Sequence, residues 1–359
     1  MFLNEELKKR NVPDILTLNN GEKITSAEKW EQRRYEILEL LAREEYGYSP
    51  KGPFNVTSEI ISYTDKDIAA KSSTSQVKIK VETDDGLFTF PVYQFVPNNV
   101  EKPPVLLHIA FRDDIPDRYM PVEEIIDNGF ALVMFCYDDI TLDKRDDFKS
   151  GVAAMYSRKK YSWGKIAMWA WAASRVMDYL QTYTRLDLDN VGVAGHSRLG
   201  KTALWCGAND KRFKYVFANN SGCSGDAITR GKTGEHVAEI TKNFDYWFCD
   251  EYKKYIGNEE TMPFDQHFLV AAVAPRFVYC GAAAEDTWAD PYSQFLSYYS
   301  ASEVYEMLAL KGLSCEDKFP EIGDTFAAGD IGYHLRSGSH FFSRYDWNRY
   351  MEFMKSKMN

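Results

Sequence analysis

The chain has 359 residues, 45% hydrophobic and 27% charged, with a formal net charge of −10. That length suffices for one large α/β domain or two smaller ones, each with a sizeable core. An acidic chain without a Lys/Arg-rich run argues against nucleic acid as the main partner, and no apolar run is long enough to span a bilayer.

The first 16 residues, MFLNEELKKRNVPDIL, contain no apolar signal core and no small-residue cleavage site. A cytoplasmic protein is therefore expected, with a secreted chain whose signal has been trimmed as the alternative. Residues 1–50 read as a helical N-terminal extension. Within it, Ser26 to Tyr46 has helical spacing, with Trp30, Ile37, Leu40 and Leu41 on one face. SQVKIKVETDDGLFTFPVYQFVP then alternates with period two around Asp85-Gly86, which predicts a hairpin. PPVLLHIAF and GFALVMFCY read as strands buried on both faces, with MPVEEIIDN as the crossover helix between them.

From Gly164 to Thr182 the sequence predicts a long apolar helix, followed by the strand VGVAG. YVFANNSG and PRFVYCGAAA are the next strands, DIGYHLRSG the last, and DWNRYMEFMKSK the closing helix. Antiparallel strands followed by strand–helix alternation predict a mixed, mostly parallel sheet flanked by helices, a three-layer αβα sandwich. One catalytic domain is expected, because no repeat or linker marks a boundary. Residues 222–266 lack a core strand and read as an insertion over the strand ends, where open α/β sheets bind ligands. The six cysteines, Cys136, Cys206, Cys223, Cys249, Cys280 and Cys315, form no CxxC pair and are expected to be buried free thiols.

Chemistry concentrates at GVAGHSRLGK, where a strand runs straight into a helix. The glycines read GxSxxG, close to a nucleophile elbow, in which a small residue two before the serine permits a sharp bend that exposes the hydroxyl. On its own this motif is as compatible with a tight turn as with a nucleophile. Ser197 needs a base, and six histidines are available. His196 adjoins the serine, so its side chain diverges from it. His108 and His334 fall within strands, while His236 and His267 lie in or beside the insertion, where solvent or substrate contact is expected. His340 lies in the loop between last strand and closing helix, the place this fold gives its catalytic histidine. The orienting acid should follow the preceding strand, where Glu285, Asp286 and Asp290 stand. Asp290-Pro291 reads as a helix cap, which leaves Asp286, with Glu285 as the alternative. No HExxH, Cys/His quartet or phosphate-loop glycine pattern is present, so no metal or cofactor is expected.

With these residues aligned, the chain from Pro103 onward resembles the glucuronoyl esterases, carbohydrate esterase family fifteen, which are α/β-hydrolases. The resemblance rests on Gly195-His196-Ser197-Arg198-Leu199-Gly200-Lys201, on AVAPRFVYCGAAAEDTWADP, on GEHVAEITKNFDYWF and on GSHFF. It implies Ser197 as nucleophile, His340 as base and Arg198 as an oxyanion partner. It also implies Lys201 and Glu235 as ligands of sugar hydroxyls, and Trp288 as a packing surface for the sugar. Two positions depart from the family pattern. His196 replaces a cysteine, and Asn220 stands where fungal members carry their acid, which moves the expected acid to Asp286. The implied activity is hydrolysis of 4-O-methyl-glucuronoyl esters of xylan-derived material. The alternatives are an acetyl xylan esterase or other small carbohydrate-ester hydrolase, and a degenerate carbohydrate-binding homologue. The expected partner is a small-molecule or oligosaccharide ester, acted on by a monomer, with no nucleic acid or membrane involved.

Overall fold

The computed structural model of the chain describes residues 2–115 and 120–358. Its ten strands are β1 (Asn55–Lys66), β2 (Ser72–Thr83), β3 (Gly86–Pro97), β4 (Pro104–Ala110), β5 (Ala131–Cys136), β6 (Asp187–His196), β7 (Tyr215–Asn219), β8 (Phe277–Ala283), β9 (Thr325–Phe326) and β10 (Ile331–Arg336). They form one sheet in the order β1-β2-β3-β5-β4-β6-β7-β8-β10-β9. From β5 to β10 the pairing is parallel, while β1–β2–β3, β3–β5 and β9–β10 pair antiparallel. This is the mixed, mostly parallel sheet that the strand–helix alternation predicts.

Alternation along the central strands sends side chains to two cores. Val105, Leu107 and Ile109 of β4 join the larger core, with Ile166 and Trp169 of helix Lys165–Leu180 and Leu204 of helix Arg198–Asn209. Leu106 and Ala110 face the opposite core, with Ile125 of helix Val122–Asp127 and Trp347 and Tyr350 of helix Arg344–Lys357. Central strands covered on both sides must be apolar throughout, which is why they were legible.

The hairpin forms as expected, with Thr83 opposite Gly86. Ser26 caps the helix Ala27–Leu41 through Lys29 N–H, but the last turn, Ala42–Tyr46, widens into a π-helix. The strand β1 was not anticipated. It is an edge strand exposed along almost its whole length, so its sequence carries no inside–outside alternation. Between β7 and β8 the described chain forms the helix Val237–Phe244, short 3₁₀ turns and the helix Gln266-capped His267–Ala271, without a strand. All six cysteines are free thiols, five of them buried. Among the described residues no helix is long and apolar enough to cross a membrane.

Candidate active site

The ends of β6, β8 and β10 carry the sequence-predicted serine, acid and histidine. Ser197 occupies the bend between β6 and the helix Arg198–Asn209 at φ 56°, ψ −125°. This left-handed backbone is strained for any residue but glycine, and such strain clusters at functional sites. Its N–H donates to Asn219 O on the neighbouring strand at 2.8 Å. The motif's first glycine has a direct steric reason: a Cβ on Gly195 would lie 2.0 Å from Leu199 O, where the helix folds back over the strand end.

On the histidine loop, His340 Nδ1 donates to Asp286 Oδ2 at 2.6 Å. Asp286 is buried and its second oxygen accepts from Ala289 N–H at 3.3 Å. Glu285 points elsewhere, accepting from Gly338 N–H at 3.3 Å and so fastening the base of the same loop. Asp290 caps the helix Pro291–Met307 by accepting from Ser293 N–H, with Pro291 in the first turn. The carboxylate paired with His340 is therefore Asp286.

The other histidines sort by burial. His196 packs its ring 4.4 Å from His340 and donates from Nδ1 to Asn219 Oδ1 at 2.7 Å. Burial, aided by the nearby His340, pushes its pKa down to about 3, so it stays neutral. His108 is buried in β4. His334 pairs with Asp346 at 2.8 Å, but both are fully buried and Asp346 also caps the closing helix. That second His–Asp pair is structural. His236 caps the helix Val237–Phe244. The expectation for His267 is corrected. It lies in the core, 1% exposed, with Nε2 donating to Pro13 O at 3.0 Å, because its short helix packs against the N-terminal segment rather than facing the strand ends.

Asn220 does not act as a stand-in acid. Its Oδ1 accepts from Ala283 N–H at 2.9 Å, while Nδ2 donates to Asn219 Oδ1 at 3.2 Å. Lys201 is buried and its ammonium donates to Ser221 O. Burial pushes its pKa down, against the pull of Glu235 first among the carboxylates. Glu235 and Trp288 are brought together by the backbone: Glu235 N–H donates to Trp288 O at 3.0 Å. Gly234, at φ +72°, permits that approach, since a Cβ there would meet Trp288 O at 2.4 Å. The Trp288 side chain is 54% exposed at the rim.

Arg198 forms an ion pair with Asp143 and lies under an aromatic cover, with its guanidinium carbon 4.7 Å from the Trp247 ring. Sequence reasoning missed Asp143 and Trp247. The only signal for Asp143 was a carboxylate shortly past an apolar strand, one of several in YDDITLDKRDD. A cleft of about 200 Å³ opens beside His196, bounded by Phe111, Met120, Phe341, Phe342 and Trp347.

Comparison with known proteins identifies the family. Residues 79–309 match the family model "Glucuronyl esterase, fungi". A carbohydrate esterase from an unknown prokaryotic organism is 33% identical, across 98% of this chain and 91% of its own length. The 4-O-methyl-glucuronoyl methylesterase of Schizophyllum commune is 30% identical, across 83% of this chain and 74% of its own. The solved glucuronoyl esterase of Solibacter usitatus superposes with a TM-score of 0.89 at 32% identity, covering 97% of this chain and 98% of that one. With an α/β-hydrolase sheet, a strained serine at its bend and a family match over most of its length, the chain belongs to the glucuronoyl esterase family of carboxylic ester hydrolases.

Proposed function

We propose that this enzyme hydrolyses 4-O-methyl-glucuronoyl esters of xylan-derived saccharides through a serine-linked acyl-enzyme. The observation that carries the reading is the 2.6 Å bond from His340 Nδ1–H to the buried Asp286 carboxylate, with the His340 ring 4.4 Å from that of His196, the residue before Ser197. With Nδ1 committed to Asp286, Nε2 is the nitrogen left to take a proton. Asp286 fixes the tautomer and stabilises the imidazolium that forms.

In the proposed reaction Ser197 Oγ attacks the uronate carbonyl and its proton passes to His340 Nε2. The carbonyl electrons collect on the oxyanion, which faces Arg198 and the N-terminus of the helix behind Ser197, where amides and dipole favour negative charge. The C–O bond to the alcohol breaks as His340 returns the proton to the leaving oxygen. Water, deprotonated by His340, then cleaves the acyl-enzyme and Ser197 is restored. The leaving alcohol must sit against His340, and the cleft beside His196, lined by Arg112 and His108 as well as by aromatic rings, is the space assigned to it in this reading. Trp288, Glu235 and Lys201 provide the sugar-facing side in this reading.

The test compares methyl 4-O-methyl-glucuronate with an acetylated xyloside at equal concentration. Faster uronate release, abolished in Ser197→Ala, is expected. Acetate release alone would support the acetyl-esterase reading instead.

A further inference from the structure

Asp143, in the loop after β5, has no part in the chemistry just described, yet it is one of the most heavily engaged carboxylates near the site. Its side chain is 5% exposed and is ion-paired with Arg198 Nη1. Trp247 Nε1–H donates to its Oδ1 at 2.7 Å, and the Tyr137 hydroxyl to its Oδ2 at 3.1 Å. Its own N–H donates to Asp138 Oδ1 at 2.7 Å. The loop is anchored from below by the buried Lys165, whose ammonium donates to Leu142 O at 2.6 Å and Lys144 O at 2.7 Å.

Arg198 is thereby gripped at one edge and along its faces. Trp247 lies 4.7 Å from the guanidinium carbon, Phe244 5.3 Å and Phe111 5.7 Å. Trp247 is itself stacked on Phe244 at 3.9 Å and 6°. The Arg198 Nε–H is buried and finds no hydrogen-bond partner among the described residues. A buried donor without an acceptor is destabilising, and a long cation held in one rotamer gives up side-chain entropy. A surface arginine would spread its donors to water. Here one edge is tied down by Asp143 and the faces are covered by aromatic rings.

We propose that Asp143 and Trp247 are positioning residues that aim the Arg198 guanidinium at the oxyanion. This deepens the reading of the serine site and rests on it. Asp143 alone would partly cancel the charge of Arg198. The donors Trp247 and Tyr137 share the carboxylate's charge, so that Asp143 orients the cation without fully neutralising it. The arrangement joins three chain segments, one after β5, one after β6 and one between β7 and β8, at a single carboxylate. A mis-aimed cation still binds substrate but loses part of its pull on the transition state, for which one oxyanion donor is worth about 10²–10³ in kcat.

The test uses Asp143→Asn, Trp247→Phe and Arg198→Met on a uronate methyl ester, singly and in the Asp143→Asn/Arg198→Met pair, with Ser197→Ala in parallel. Asp143→Asn is expected to lower kcat about 10- to 100-fold with KM within about 2-fold, and Trp247→Phe to lower it by less. In the Arg198→Met background, Asp143→Asn is expected to cost under about 2-fold, because its route to the chemistry is gone. A purely structural role would give the same loss in both backgrounds, and that result overturns the proposal. So does an Asp143→Asn enzyme with wild-type kcat. If Asp143→Asn fails to fold, Trp247→Phe with and without Arg198→Met decides by the same comparison. An active Ser197→Ala enzyme instead removes the underlying serine reading.

Discussion

Glu285 and Asp286 leave the end of β8 in opposite directions. Asp286 turns inward to His340, and Glu285 closes the histidine loop through Gly338 N–H. Charge type and chain position do not distinguish them; the turn geometry does. Asp286→Asn keeps the size of the side chain but offers the imidazole a neutral partner, with no charge to stabilise imidazolium. A loss of about 10²–10⁴ in kcat is expected. Glu285→Gln keeps an acceptor for Gly338 N–H and should stay within about 3-fold of wild type, an exposed-contact effect. Steady-state kinetics on a uronate ester checks both, and the reverse order would reassign the acid.

At the scale of elements, the bend between β6 and its helix is a tight steric constraint in the site. Gly195 faces the Leu199 carbonyl so closely that a methyl group cannot enter without moving backbone. Gly195→Ala is expected to destabilise the fold by at least about 2–3 kcal/mol through overpacking. It should also displace Ser197, so activity per folded molecule falls as well. Urea unfolding together with active-site titration separates these effects. Unchanged stability would mean that the strand end relaxes freely, and that the strained serine backbone is not enforced by its neighbours.

Over the whole molecule, buried titratable groups set the response to pH. Burial pushes the His267 pKa down to about 4, so the folded chain refuses a proton that the unfolded chain binds below about pH 6.5. Its contribution is therefore fully present above pH 6.5 and is lost as pH falls toward 4, by up to about 1.4 kcal/mol per pH unit. Glu45 and Asp226 act with the opposite sign. Burial holds both above the usual carboxylate range, so their share of stability falls as pH rises through that range. The net curve mixes these contributions, and a variant separates them. His267→Gln is expected to lose overall stability and to flatten the slope between pH 6 and pH 5 by about 1.4 kcal/mol per unit. Urea unfolding of both proteins at pH 7, 6 and 5 measures the difference; parallel slopes would mean that His267 titrates normally in the folded state.

Sequence alone determined the central strands, the hairpin, the serine bend and the histidine loop. Each is written in local pattern: apolar runs, period-two alternation, a glycine two before a serine, and a histidine placed late in the chain. The tertiary structure decided what depends on contacts between distant segments. The exposed β1 shows no alternation because neither face is covered, and the π turn at Ala42–Tyr46 has no local mark. His267 reads as solvent-facing until its helix is seen against Pro13. The choice of Asp286 over Glu285 depends on which way a turn directs its carboxylates. Asp143 and Trp247, 104 residues apart, share a hydrogen bond, and no local pattern records a contact made only when separate strand ends meet.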